Sequence, residues 1–380
     1  SWSLSLPLSR CHISTMQQLF LCSLLVVSSA VKDYGIPGWN CDEEVMKRSY
    51  SIPQSVHSLR FADIDVIGAI GDSITAGNGA GAKDENDTLA LQIQYRGLAF
   101  SVGGDMDLDQ HVTLANILKK FNPNIFGFSM NSGAANVWES AQLNAAVPGA
   151  RAVNLTDQAI DLVQRFRDHP GKVDIVNDWK LIHIFIGGND ICAWCDHPED
   201  ETSDLFGQRI GDAIQILKDN LPGTIVVITG MLDITVLREM DAMNSKCDAM
   251  HRTGCSCEQN PKYSTEQLRG VCKEYMQEED DLQSSGRFDT SDDFSIIIQP
   301  FFEDYDHAPL LPDGTPDISL FAPDCFHFSE YNMLQPVGEK SMVANLTDLS
   351  IPLYCPPTWC PFIRTTKNSE DCAKYWTPAA

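Results

Sequence analysis

The chain has 380 residues, 43% of them hydrophobic and 21% charged, a globular composition with length for one large domain or two small ones. Its 27 Lys and Arg stand against 52 Asp and Glu, a formal net charge of −25. A surface of that sign repels nucleic-acid phosphates, so nucleic acid is excluded as a partner, and the acidity reads as a solvated face.

Met16 opens "MQQLFLCSLLVVSSAVKDYG" (16–35). The apolar run 19–27 and the small residues Ser28-Ser29-Ala30 have the form of a secretory signal peptide, about 16–30, without a basic n-region. The run is too short to span a bilayer. A buried helix is the other reading. Residues 1–30 are set aside as upstream sequence plus signal peptide, and 31–380 are expected to form one secreted domain. Of the 13 Cys, Cys11 and Cys22 fall in the excluded segment. The remaining eleven (13 − 2) face an oxidising compartment and are expected to pair, with at least one left over. The sequons at Asn86, Asn154 and Asn345 fit secretion. The closing "SEDCAKYWTPAA" has no apolar tail, so no transmembrane or lipid anchor is expected.

"DIDVIGAIGDS" (63–73) predicts a buried strand feeding a turn. Ser73 follows it, where a nucleophile can project from a sharp turn at a helix amino end. The G-x-S-x-G elbow is not present, because Thr75 stands where it needs Gly, and a Gly-Asp-Ser is also an ordinary turn. In "LNAAVPGAR" (143–151), Gly149 offers an unobstructed backbone N–H to an oxyanion, or makes a plain Pro-Gly turn. "LTDQAIDLVQRFRDH" (155–169) has the helical i, i+3, i+4, i+7 pattern in Ala159, Leu162, Val163 and Phe166.

"WKLIHIFIGGND" (179–190) predicts a second buried strand. Asn189 behind it can donate its amide to an oxyanion, or form an Asn-Asp turn. Cys192 and Cys195, with His197, allow a zinc site or disulfides. "SDLFGQRIGDAIQILKDNLPG" (203–223) predicts a helix stopped by Pro222-Gly223, and "TIVVITGM" (224–231) a third strand. Residues 241–275, with Cys247, Cys255, Cys257 and Cys272, read as a disulfide-stapled insertion, with a zinc knuckle as the alternative. The insertion either borders the active site or decorates an edge. "SIIIQPFF" (295–302) predicts a fourth strand.

Strand and helix in alternation imply an α/β fold: a parallel sheet with helices on both faces and a ligand site at the carboxyl ends of the strands. "FAPDCFHFSE" (321–330) supplies what those ends lack. Three residues apart in a turn, the Asp324 carboxylate can reach the Nδ1–H of His327 and leave Nε2 free to take a proton from Ser73. His57, His111, His169, His183, His251 and His307 have no partner motif and read as structural or exposed. Gly103-Gly104-Asp105 reads as a loop shaping the pocket. Trp138, Trp194 and Phe326 read as core, with an acyl-pocket lining as the alternative.

The four blocks together resemble the SGNH, or GDSL, hydrolases: Ser73 in GDS, Gly149 in N-x-A-x-x-G, Asn189 in G-x-N-D, and Asp324 with His327 in D-x-x-H. The stretches 55–82, 95–105, 113–123, 185–195 and 322–329 are similar, more narrowly, to the animal phospholipase B group of the membrane-associated type. The resemblance covers about residues 40–365. It implies a three-layer flavodoxin-like fold and hydrolysis of acyl esters in phospholipids and lysophospholipids at a membrane or micelle surface. The implied catalytic residues are Ser73, Asp324 and His327, with an oxyanion hole from Ser73, Gly149 and Asn189. No metal and no cofactor is expected. Members of that group often repeat the domain and carry an anchor. The segment 329–340 is shorter than theirs. An esterase for small or carbohydrate esters, and a non-catalytic secreted binding protein, are the alternatives.

Overall fold

The computed structural model describes residues 35–83, 89–303 and 353–376, and between them 305, 307–308, 310–311, 313–318 and 321–328. The expected signal peptide, the sequons at Asn86 and Asn345 and the shortened 329–340 segment lie outside the described residues. All four expected strands form: β1 Val66–Gly71, β2 Lys180–Phe185, β3 Thr224–Thr229 and β4 Phe294–Gln299. They pair in parallel, in the order β1-β2-β3-β4. The helices among the described residues are, in chain order, α1 Glu43–Met46, α2 Leu114–Phe121, α3 Trp138–Ala141, α4 Leu155–Asp168, α5 Gly188–Trp194, α6 Ser203–Asn220, α7 Val236–Met243, α8 Ser245–Gly254, α9 Thr265–Ser284 and α10 Thr366–Glu370.

The strand residues are apolar on both faces because both faces are covered. Alternate side chains sort into two cores. Val66, Ile70, Ile182, Ile184, Val226, Ile228 and Ile296 pack under α4, α6 and α9. Ile67, Ala69, Leu181, Ile225, Val227 and Ile297 pack against α2 and the segments near both ends of the described chain. The predicted helical stripes are the ones buried: Leu162, Val163 and Phe166 on α4, and Phe206, Ile210, Ala213, Ile214 and Leu217 on α6.

On its side away from β2, β1 pairs through single parallel bridges, Val66 with Phe126 and Ala69 with Asn144. The chain order therefore reverses across β1: one neighbour is reached through α2, the other through α4. That reversal leaves a crevice beyond the carboxyl end of β1, where ligands bind in such sheets. Ser73 and the loop carrying Gly149 both lie at that end.

Candidate active site

Gly71 ends β1 in close quarters. A Cβ there would lie 2.4 Å from the Phe185 carbonyl oxygen, so only glycine fits. Gln158 of α4 holds the same residue at both of its backbone groups, accepting from the Gly71 N–H at 2.8 Å and donating to its C=O at 2.9 Å. The chain then enters one turn. The Ala76 N–H reaches the Asp72 carbonyl, the Asn78 N–H reaches back to that of Ser73 at 2.9 Å, and the Asp72 carboxyl accepts from the Ile74 N–H at 2.9 Å. The expected helix behind Ser73 does not continue, because the wide closure from Asn78 ends it after this turn. Ser73 is buried. Burial pushes the Asp72 carboxyl up to about 6.

Asn144 joins this turn to the loop of Gly149. Its Nδ2 donates to the Thr75 carbonyl at 2.9 Å and its Oδ1 accepts from the Ala146 N–H at 3.1 Å. Arg96 staples the same loop, donating to the carbonyls of Asn144 (3.0 Å) and Ala146 (2.8 Å). Burial lowers the Arg96 guanidinium to about 10, which leaves it charged at neutral pH. Gly149 sits at φ +77°, a left-handed conformation that costs an L residue energy, with open space around its Cα. The N–H groups of Ser73 and Gly149 make no hydrogen bond among the described residues.

The G-x-N-D stretch opens helix α5. Asn189 donates Nδ2 to the Ala150 carbonyl at 2.9 Å, beside Gly149. An amide nitrogen carries two hydrogens, so one remains for a ligand. Asp190 is buried, and its two oxygens accept from the Ala152 N–H at 2.9 and 3.1 Å. Burial pushes its carboxyl up to about 7. Behind it, buried Glu201 is bridged by Arg151 and by Arg209, the latter at 2.8 Å.

The Asp324–His327 pair sits on a hairpin. Phe321 bridges Phe328, Ala322 N–H donates to the His327 carbonyl at 2.7 Å, and Phe328 packs among Phe100, Phe185 and Phe302. Asp324 Oδ1 accepts from the Phe326 and His327 N–H groups, both at 3.0 Å, and Oδ2 from His327 Nδ1 at 2.6 Å. Burial opposes the charge on Asp324. The His327 bond and charge, with the two N–H groups, outweigh it and hold the carboxyl below its ordinary value. His327 lies near enough to Asp72 for its charge to favour that carboxylate, and Ala322 sits against Gly79. The hairpin thus closes on the turn that carries Ser73. The four blocks named from the sequence converge on one end of the sheet.

From the sequence the cysteines are expected to pair with at least one left over, but their connectivity stays open and Cys272 counts among the staples of the 241–275 insertion. Cys192 and Cys195 pair across to Cys255 and Cys257, Cys247 pairs with Cys325, and Cys41–Cys355 and Cys360–Cys372 complete five bridges. Buried Cys272 is the odd thiol. The thiolates a zinc knuckle needs are taken, and the insertion borders the site through Cys325. Gly103-Gly104-Asp105, expected to shape the pocket, makes its contacts with Ser129, Asn131 and α2. Trp138 stacks on His169, Trp194 meets Tyr263, and Phe326 lies edge-on to His327. His57 and His183 are buried on Thr365 and Thr229, while His307 is exposed against Glu239.

A parallel sheet covered by helices on both faces, with a Ser, a glycine N–H, an Asn amide and an Asp–His pair at one strand end, has the layout of the SGNH family. The GDSL-like Lipase/Acylhydrolase family matches residues 67–334, and the chain belongs to it. It is 42% identical over 338 residues to "Phospholipase B1, membrane-associated" of Rattus norvegicus, covering 85% of this chain and 23% of that protein. The namesake of Homo sapiens is 40% identical over 346 residues, covering 87% of this chain and 23% of its own. The chain thus spans under a quarter of the length of these relatives. A putative GDSL-like lipase of Parabacteroides merdae overlaps at a TM-score of 0.31 and 16% identity, covering 64% of this chain and 81% of that one.

Proposed function

We propose that the chain is a secreted serine esterase that cleaves acyl esters of phospholipids and lysophospholipids. One observation carries the catalytic reading: Asp324 holds His327 Nδ1 at 2.6 Å on a hairpin that closes on the Ser73 turn. That bond fixes the tautomer, with Nε2 facing away from Asp324 and able to act as a base. Ser73 Oγ attacks the ester carbonyl carbon while His327 Nε2 takes its proton. The oxyanion is received by the N–H groups of Ser73 and Gly149 and by the second hydrogen of Asn189 Nδ2. The intermediate collapses, His327 returns the proton to the departing alcohol, and the acyl group stays on Ser73. Water, deprotonated by His327, then releases the fatty acid.

The names and identities of the relatives support lipid as the substrate class, with the ester presented at a membrane or micelle surface. Five disulfides support an oxidising, extracellular setting. No helix among the described residues is long and apolar enough to cross a membrane. The test is fatty-acid release from lysophosphatidylcholine and diacyl phosphatidylcholine against p-nitrophenyl acetate. Faster turnover of the long-chain substrates is expected. Cleavage of the acetate alone would assign the site to small esters.

A further inference from the structure

Cys247 and His251 are four residues apart on α8, so their side chains share one face of the helix. Both reach Cys325, which directly follows Asp324 and lies two residues before His327. Cys247 bonds its sulfur, and His251 Nε2 meets its carbonyl oxygen at 3.2 Å. Cys325 needs such holding, because it sits at φ +60°, a left-handed conformation that costs a non-glycine residue energy. The other nitrogen of His251, Nδ1, lies 2.7 Å from Asp241 Oδ1 on α7. A carbonyl and a carboxylate both accept. With both ring nitrogens facing acceptors, only the doubly protonated ring can donate to both.

We infer that His251 is a positioning residue for the proposed reaction: an imidazolium clamped between Asp241 and the Cys325 carbonyl, it sets the turn that aims His327. A neutral ring keeps one proton and gives up one of its two bonds, so the clamp belongs to the charged form.

The charged groups around the ring agree with that state. Asp241 faces it from α7, and Glu258 from the turn after α8, with Arg238 of α7 set against Glu258. Asp248 of α8 pairs outward with Arg252, and Gln259 bridges Asp248 and Asp241. Burial disfavours the imidazolium. The bond and charge of Asp241, then Glu258 and the Cys325 carbonyl, outweigh burial and raise the ring above its ordinary value. Burial and Asp241 push Glu258 up to about 7. Asp241, His251 and Glu258 also lie within metal-binding reach of one another, but both nitrogens of His251 are already spoken for.

The sign follows from a raised pKa. The clamp is complete at low pH and is lost as pH rises through the His251 value in the folded protein. It predicts an alkaline limb in the kcat profile, above the ordinary imidazole range. Three variants of the full chain test this on lysophosphatidylcholine. His251→Gln keeps a donor for Cys325 without a titrating proton, and should retain most of kcat while losing the alkaline limb. His251→Ala should lower kcat about 10-fold or more with little change in KM. Asp241→Asn should move the limb to lower pH. Circular dichroism and an intact Cys247–Cys325 bridge check the fold of each.

A wild-type alkaline limb that persists unshifted in His251→Gln, or full kcat in folded His251→Ala, overturns the proposal. So does calcium or zinc bound by the wild type and lost with His251→Ala. The inference rests on His327 as the base. That assignment fails separately, if His327→Ala retains activity.

Discussion

Asn189 donates its side-chain amide to the Ala150 carbonyl at 2.9 Å, tying the residue behind β2 to the loop of Gly149, about forty residues away in sequence. One bond thereby sets the spacing of two proposed oxyanion donors. Asp190 reinforces it from the other side by accepting from Ala152.

Asn189→Ala removes a donor and loosens Gly149 at once. Turnover should fall at least about 10²–10³-fold, the usual cost of one oxyanion donor, with KM changed much less. Steady-state kinetics on purified protein decides it. A change confined to KM would place Asn189 in substrate binding.

Asp324→Asn should reduce kcat by up to about 10⁴-fold while the chain still folds, because the amide favours the wrong imidazole tautomer. The folded-state carboxyl lies below its ordinary value, so its stabilising contribution is present above the unfolded value. It is lost only as pH falls through the depressed one. Thermal unfolding of wild type and variant should therefore differ at pH 6 and converge in strong acid. Equal melting at both would show that the bond does not stabilise the fold.

Asp190 has the opposite sign. Its folded-state carboxyl stands at about 7, so its contribution is fully present below the unfolded value and is lost as pH rises through about 7. Asp190→Asn keeps one acceptor for Ala152 and cannot ionise. Its melting temperature should gain on the wild type between pH 5 and pH 8.5 by a few degrees. A parallel pH dependence in the two proteins would contradict this.

The strands and the helices α4 and α6 were legible because their apolar residues repeat at the spacing of a buried strand or a one-sided helix. The candidate site could be assembled because Ser73 and Asn189 closely follow strands, Gly149 sits in a Pro-Gly turn, and Asp324 and His327 stand three residues apart. The turn behind Ser73 was misjudged as the start of a helix, since nothing local announces the closure from Asn78 to the Ser73 carbonyl. His251 had no motif to mark it. Its partners are Asp241, ten residues back, and Cys325, 74 residues on, and only the folded chain brings them together. The pairing of Cys247 with Cys325 was closed to sequence reading for the same reason.

The cysteine framework makes a countable prediction. Cys272 is buried, and burial raises its thiol well above the ordinary value, so it should resist alkylation in the native protein. In a chain beginning near residue 31, maleimide under non-reducing denaturing conditions should add one label, and after reduction eleven. Three labels before reduction would mean that one of the five bridges does not form.

The central claim is that Ser73 is a nucleophile activated by His327. A fluorophosphonate reports it directly, since phosphonylation needs an activated hydroxyl and the adduct stays on the residue that attacked. Intact-mass and peptide mass spectrometry should find a single adduct on Ser73 in the wild type. Folded Ser73→Ala should carry none, and His327→Ala only a small fraction of the wild-type rate. An adduct on another serine, or equal labelling of wild type and Ser73→Ala, would contradict the account.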